Sequence, residues 1–385
     1  MVGLLRQSES VWALRAPEAY RPMREGIVTR TMDLSNSPTE QFTDALDASI
    51  VAHAFSGVVS IRQHGRLMFE RAAGYADRSN RIANTCETRF GIASGTKFLT
   101  ALAIGKLIAE RKLYLSTTLQ DCLVLDFPQQ YVPGITIQHL LTHTSGIPDY
   151  YDEEKVTDFD NFFVSRPWYE LKGPRDYLAI FPDEPMKFSP GSRFSYSNGG
   201  YILLGVVIEQ VTGRPYQDYV DQAIFRALGM KRSGFFAFNR LPEGTAFGYI
   251  EGADGWRTNI YNLPIVGASD GGVYTTADDL ATLWKAFWAN EIVPQNLVEL
   301  YATPYVKAES EGEGIYYGHG LWLDLGTAGR PEVYIMGGDA GISFRSSVHR
   351  ESDLHVTVLS NTSNGAWPVL RDIRNTLKSL NGPVA

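Results

Sequence analysis

The sequence predicts an α+β protein in which segments from both ends of the chain build an antiparallel sheet flanked by helices, with a mostly helical lobe inserted between them. Three observations predict it. Strand-like runs crowd the two ends of the chain, at GVVSIRQHGRLMFERAAGYAD and again at YYGHGLWLDL, VYIM, ISFRSSVH and LHVTVLSN. A segment apolar on nearly every side, SGTKFLTALAIGKLIAERK, has the pattern of a helix buried in the middle of a protein. The stretch from about 115 to 305 mixes helical patterns with long loops rich in Pro, Gly, Tyr and Trp, and loops of that length tend to line a site.

Taken in order, residues 1–37 carry Pro17 and Pro22 without a clean period and read as an N-terminal extension ahead of one large domain, 38–385. From Pro38 the chain places Phe42, Leu46, Ile50 and Ala54 four apart, one face of an amphipathic helix. The next run reads as a hairpin turned at His64-Gly65. The sheet is expected from about 38–90 and 305–385, and a last helix from about Trp367 to Leu380 closes the chain.

Composition narrows the function. Of 385 residues 44% are hydrophobic and 20% charged, ordinary for a globular protein that can bury a deep cleft. The formal charge of −8 is spread along the chain without a Lys/Arg cluster, which argues against nucleic acid or a membrane surface and for a small-molecule partner. The N-terminal stretch is interrupted by Arg6, Glu9 and Arg15 and lacks the form of a signal peptide. With no run approaching the roughly 18 apolar residues of a membrane span, the expected location is cytoplasmic. Cys86 and Cys122 are then expected as reduced thiols. The oligomeric state is not readable.

Chemistry enters at Ser94-Gly95-Thr96-Lys97, which opens the buried helix. Residues three apart share a helix face, so the Lys97 amine can reach the Ser94 hydroxyl. Burial disfavours a charged lysine, so Lys97 can be neutral and act as a base. The helix N-terminus favours a developing oxyanion beside the serine. Alone, a Ser-x-x-Lys match is near chance, but its apolar neighbours Phe98, Leu99, Leu102 and Ile104 make a purely structural lysine expensive. A second element, Tyr196-Ser197-Asn198, lies in a Pro/Gly-punctuated loop running into an apolar helix. Near an ammonium the Tyr196 phenol can be stabilised as phenolate and shuttle protons, and the Asn198 amide can fix Lys97 and hold a substrate carbonyl or amide.

These motifs, with LLTHTSGIPDY at 140–150, YSNGGYILLGVVIEQVTG at 196–213, LGM at 228–230 and GGVYTTADDL at 271–280, occur in the order and approximate spacing of a known family. The chain resembles a serine β-lactamase of class C type, or one of the related penicillin-binding proteins, D-peptidases, esterases and acyltransferases, over roughly residues 40 to 380. The resemblance implies Ser94 as nucleophile, Lys97 and Tyr196 as the proton-transfer pair, Asn198 as the orienting amide, and the N–H groups of Ser94 and Gly338 as the oxyanion hole. The family's third motif, Lys-Thr-Gly or His-x-Gly, aligns with Ile335-Met336-Gly337, so its cation is missing. A substrate carboxylate thereby loses a charge-assisted partner of roughly 1.5 to 3 kcal/mol.

The expected activity is therefore a cofactor-free, metal-free serine hydrolase acting through an acyl-enzyme on a small ester, amide or peptide: a carboxylesterase or small amide/peptide hydrolase with at most weak β-lactamase action. Alternatives are an acyltransferase using the same acyl-enzyme, a true β-lactamase or D-amino-acid peptidase, and a non-catalytic ligand-binding homologue. Gly267-Ala268-Ser269-Asp270-Gly271 matches the nucleophile elbow, with His319, His349 and His355 downstream, but GGVYTT follows where that elbow needs a helix. His143 reads as a loop brace. Tyr150, expected to contact substrate, joins Tyr151, Trp168 and Tyr169 as candidate walls of a pocket.

Overall fold

The computed structural model describes residues 28–29, 40–123, 134–156, 158–326 and 332–381. Among these, nine strands form one antiparallel sheet. Numbered along the chain they are β1 (Val28–Thr29), β2 (Gly57–Gln63), β3 (Arg66–Ala73), β4 (Val306–Lys307), β5 (Ile315–Tyr317), β6 (Trp322–Asp324), β7 (Glu332–Asp339), β8 (Ile342–His349) and β9 (Leu354–Ser360). Their spatial order is β1-β3-β2-β9-β8-β7-β6-β5-β4, so the N-terminal hairpin joins the C-terminal strands along β2–β9, with Gly57 opposite Ser360. Both ends of the chain build the sheet, as expected. Within the stretch read as an extension, Val28–Thr29 adds an edge strand to β3; the rest of 1–37 lies outside the described residues.

Local chemistry explains the elements. His64 and Gly65 both have positive φ, 49° and 73°, the backbone of a two-residue turn whose twist matches the strands it joins. Helix α1 (Glu40–Ala52) buries Phe42, Leu46 and Ile50, but it stops at Ala52. Ala54 is exposed with φ 46°, and Phe55 takes the core position expected of it. The run YYGHGLWLDL, expected as one strand, is instead the hairpin β5–β6. Its turn closes with Gly318 N–H donating to Leu321 O at 2.8 Å, and Gly320 at φ 93° takes a conformation that strands do not use.

Two apolar layers cover the sheet. On one face α1 and α5 (Ala366–Asn381) pack on β2, β3 and β9 through Ile50, Phe69, Val358, Val369 and Ile373. On the other, α2 (Thr96–Ala109), α3 (Asn198–Thr212) and α4 (Ala277–Trp288) share a large core with Ile335, Phe344 and Leu359. Helix α2 is central to it, with Phe98, Leu99, Leu102 and Ile104 all buried. Helix α4 starts where its cap dictates, the Thr276 side chain accepting from Asp279 N–H. Among the described residues Cys86 and Cys122 are not joined in a disulfide. Among the described residues no helix is long and apolar enough to cross a membrane.

Candidate active site

Ser94 sits in a short 3-10 turn, Ala93–Gly95, that leads directly into α2. Ala93 precedes it at φ 43°, a left-handed conformation unfavourable for a residue with a Cβ. The strain is held by the surroundings: Ile92 N–H donates to Val273 O, Gly95 N–H to Ile92 O, and Val273 N–H to the Thr96 hydroxyl. On the other side strand β7 presses on the turn. β6 ends opposite Tyr334, so β7 from Ile335 onward has an edge that β6 does not cover. A Cβ on Gly337 would lie 2.2 Å from Ile92 O and 2.7 Å from Ser94 N, an approach that only glycine permits.

Lys97, 1% exposed, places its Nζ 3.0 Å from Ser94 Oγ, 2.7 Å from Asn198 Oδ1 and 2.7 Å from the backbone oxygen of Asp270. Burial lowers its pKa, opposed by the carboxylates of Asp270, Glu153, Asp149 and Asp339. Two of the three contacts are carbonyl oxygens, which only accept. A neutral amine gives its two hydrogens to them, and its lone pair is left facing the Ser94 hydroxyl.

Tyr196 arrives from the loop ahead of α3, fully buried among Trp322, Tyr334 and Met336, and hydrogen-bonds Ser94. Burial first, then the charge of Glu153, push its pKa well above the usual phenol value. It is therefore a phenol at neutral pH rather than the phenolate that a nearby ammonium would favour. His143 lies against it, ring centroids 4.2 Å apart, and accepts from Ser197 N–H at Nδ1. Burial drives the His143 pKa well below 6.5, so it stays neutral and braces the loop.

Asn198 is the first residue of α3, and all its amide hydrogens are engaged. Its Oδ1 holds Lys97, while Nδ2 donates to Tyr151 O at 3.0 Å and Glu153 Oε1 at 3.1 Å. Behind it the Asp149 carboxylate accepts from the N–H groups of Asn198, Gly199 and Tyr151. Burial raises the Asp149 pKa to about 7 despite these bonds.

The cleft over Ser94 encloses roughly 800 Å³ including its open mouth, the scale of a small-molecule site. Aromatic rings wall it, among them Phe159, Phe162, Trp168, Phe236 and Phe238. Tyr150 lines it too, but its hydroxyl donates to the Asp270 carboxylate. Tyr169 lies out in solvent, 64% exposed. Gly338 borders the cleft at the free edge of β7, whereas Ile335 is buried in the main core and Met336 in the cluster around Tyr196. No cation replaces the missing one: among the described residues lining the cleft there is no Lys, Arg or His.

The GxSxG decoy contributes through its backbone. Ser269 is fully buried against Gly205 and its hydroxyl faces no cleft, yet its neighbour Asp270 supplies a carbonyl to Lys97. His319 is buried behind Tyr301, and His349 and His355 lie on the distant ends of β8 and β9. Sequence reasoning missed Asp149, Glu153, Asp270 and Asp339. The acidic run DYYDEE after THTSGIP was the available signal for the first two.

Residues 40–381 match the family described as Beta-lactamase. Penicillin-binding protein 4* of Bacillus subtilis is 28% identical over 285 residues, 70% of this chain and 60% of that relative's length. Esterase EstB of Burkholderia gladioli is 29% identical over 345 residues, covering 80% of this chain and 86% of the esterase. The crystal structure of a penicillin binding protein from Bacillus halodurans superposes with TM-score 0.81 at 41% identity, covering 86% of this chain and 99% of that one. The fold and these relatives define a serine hydrolase of the esterase and β-lactamase-like type. The chain belongs to the Beta-lactamase family.

Proposed function

We propose that the protein hydrolyses small, uncharged or cationic carboxylic esters or amides through an acyl-enzyme on Ser94. The observation that carries this reading is the three-way contact of Lys97, which leaves its lone pair on the Ser94 hydroxyl. Lys97 takes the Ser94 proton as Oγ bonds the substrate carbonyl carbon. The oxygen that gains charge lies against the N–H of Ser94 and the N–H of Gly338 on the uncovered edge of β7. When the tetrahedral adduct collapses, the bond to the leaving group breaks. That group takes a proton from the Tyr196 phenol, which is resupplied from the Lys97 ammonium. Water then attacks the acyl-enzyme by the reverse proton route and releases the acid.

Esters are favoured over β-lactams and D-alanyl peptides for a stated reason. Those substrates carry a carboxylate, and the described residues lining the cleft offer it Glu153, Asp270 and Asp339 and no Lys, Arg or His. The esterase among the relatives supports the same branch. The test is incubation with a short p-nitrophenyl ester, a fluorophosphonate and a cephalosporin, followed by intact-mass measurement and peptide mapping. The expected result is label on Ser94, rapid ester turnover abolished in Ser94→Ala, and slow cephalosporin turnover. Undiminished ester turnover in Ser94→Ala sinks the reading, and cephalosporin turnover faster than ester turnover moves it to a β-lactamase.

A further inference from the structure

Tyr150 stands among the cleft walls, yet its hydroxyl is committed elsewhere, donating to the Asp270 carboxylate. Burial and the charge of Asp270 push its pKa well above the usual phenol value, so it keeps the proton it donates. Asp270 is itself buried, and its backbone oxygen is one of the two carbonyl acceptors of Lys97. The other acceptor, Asn198 Oδ1, belongs to a side chain whose Nδ2 donates to the backbone oxygen of Tyr151, the residue after Tyr150. The contacts therefore close a ring. It runs from Lys97 to Asp270, through the Asp270 side chain to Tyr150, along the chain to Tyr151, and through Asn198 back to Lys97.

Each side of the ring is anchored. Helix α2 grips the loop that carries Asp270 with two threonines: Val273 N–H donates to the Thr96 hydroxyl at 3.0 Å, and the Thr100 hydroxyl donates to Ser269 O at 2.6 Å. Opposite, the Asp149 carboxylate accepts from Tyr151 N–H and from the first two N–H groups of α3, which ties the Tyr150 segment to the helix carrying Asn198. The Tyr150–Asp270 bond joins the two anchored sides away from the lysine, and so fixes the angle between the acceptors that Lys97 meets. The lone pair of a neutral amine points away from its bound hydrogens. That angle therefore decides whether the lone pair faces Ser94 Oγ, 3.0 Å from Nζ.

We propose that Tyr150 is a positioning residue for proton transfer from Ser94: its hydroxyl acts through Asp270, holding the carbonyl that orients Lys97, and does not bind substrate. This rests on the acyl-enzyme reading and adds to it a residue of the cleft wall that works on the lysine. A phenol that held substrate would act on KM. One that aims the general base acts on kcat, and to the same extent for every substrate that uses the base.

The experiment measures hydrolysis of p-nitrophenyl acetate and p-nitrophenyl butyrate, at the plateau of each pH profile, by the unmodified protein, Tyr150→Phe, Asp270→Ala, the double variant and Asp270→Asn. Tyr150→Phe is expected to lower kcat about tenfold for both esters, with KM changed by less than about twofold, because the cleft keeps its ring while the base is misaimed. Since Tyr150 acts through the Asp270 side chain, the double variant should be no slower than Asp270→Ala alone. Asp270→Asn and Asp270→Ala both remove the charge, but only the asparagine still accepts from the Tyr150 hydroxyl, so it should retain several times the kcat of the alanine variant. A change confined to KM, an unmoved kcat in Tyr150→Phe, losses that multiply in the double variant, or an Asp270→Asn protein as slow as Asp270→Ala overturns the proposal. If instead Ser94→Ala still cleaves p-nitrophenyl acetate at full rate, the acyl-enzyme reading itself fails, a result separate from any effect of Tyr150.

Discussion

At the scale of single residues, the site is a problem of proton ownership. Lys97 and Tyr196 are both buried and both shifted, and burial acts in opposite senses on their protons. It lowers the pKa of the lysine and raises that of the phenol, the directions that the proposed mechanism asks of a base and an acid. Lys97→Arg keeps a cation and hydrogen-bond donors but cannot deprotonate. It is expected to lower kcat/KM for a p-nitrophenyl ester on the order of 10³-fold, as is Lys97→Met. In the unmodified protein kcat/KM should rise with pH as Lys97 loses its proton, with the rise ending below 10.5, its ordinary value. A pH profile of ester hydrolysis tests this, and a rate flat in pH with an active Lys97→Arg would remove Lys97 from the role of base. Ser94 and Lys97 were legible because a helix fixes their spacing. Asp270 and Asp339 were not, because nothing in a local pattern tells which distant loops meet over the serine.

At the scale of elements, Ser94 is held by a turn pressed between β7 and the loop before α4. Helix α2 was readable from its apolar surface, and the His64-Gly65 hairpin from its turn residues. The β5–β6 hairpin was hidden, because Gly318, His319 and Gly320 interrupt an otherwise continuous apolar run and alternation survives across the break. Gly337 was visible only through the third-motif alignment; its physical reason is contact with backbone, not conformation. The atoms its Cβ would meet are Ile92 O and Ser94 N, and neither can swing aside as a side chain would. Gly337→Ala is expected to destabilise by about 1–3 kcal/mol through overpacking. It should lower kcat/KM on the order of 10²-fold, because the turn and the β7 edge must separate. Urea unfolding and ester kinetics on the same preparation check both numbers. Wild-type activity in a folded Gly337→Ala protein would show that the β7 edge plays no part in the chemistry.

At the scale of the whole molecule, one contact ties the layers together. Glu332 at the start of β7 accepts from Arg345 of β8 and from Arg374 of α5, both at 2.8 Å. It thus links the strand that borders Ser94 to the helix covering the opposite face of the sheet. Burial alone would raise its pKa, but Arg345 and Arg374 overcome this and hold it at about 2, against an ordinary 4.5. Because the folded value is the depressed one, its contribution to stability is complete above about 4.5 and is lost as pH falls through about 2. The shift corresponds to about 3 kcal/mol at neutral pH, and Glu332→Gln should cost about that much, since it leaves the buried Arg345 without its partner carboxylate. Urea unfolding of both proteins from pH 7 to pH 3 separates this from a packing defect. The difference between them should stay constant down to about pH 5 and shrink to less than half by pH 3, whereas a difference independent of pH would mean that the carboxylate charge contributes nothing to holding β7 against the C-terminal helix.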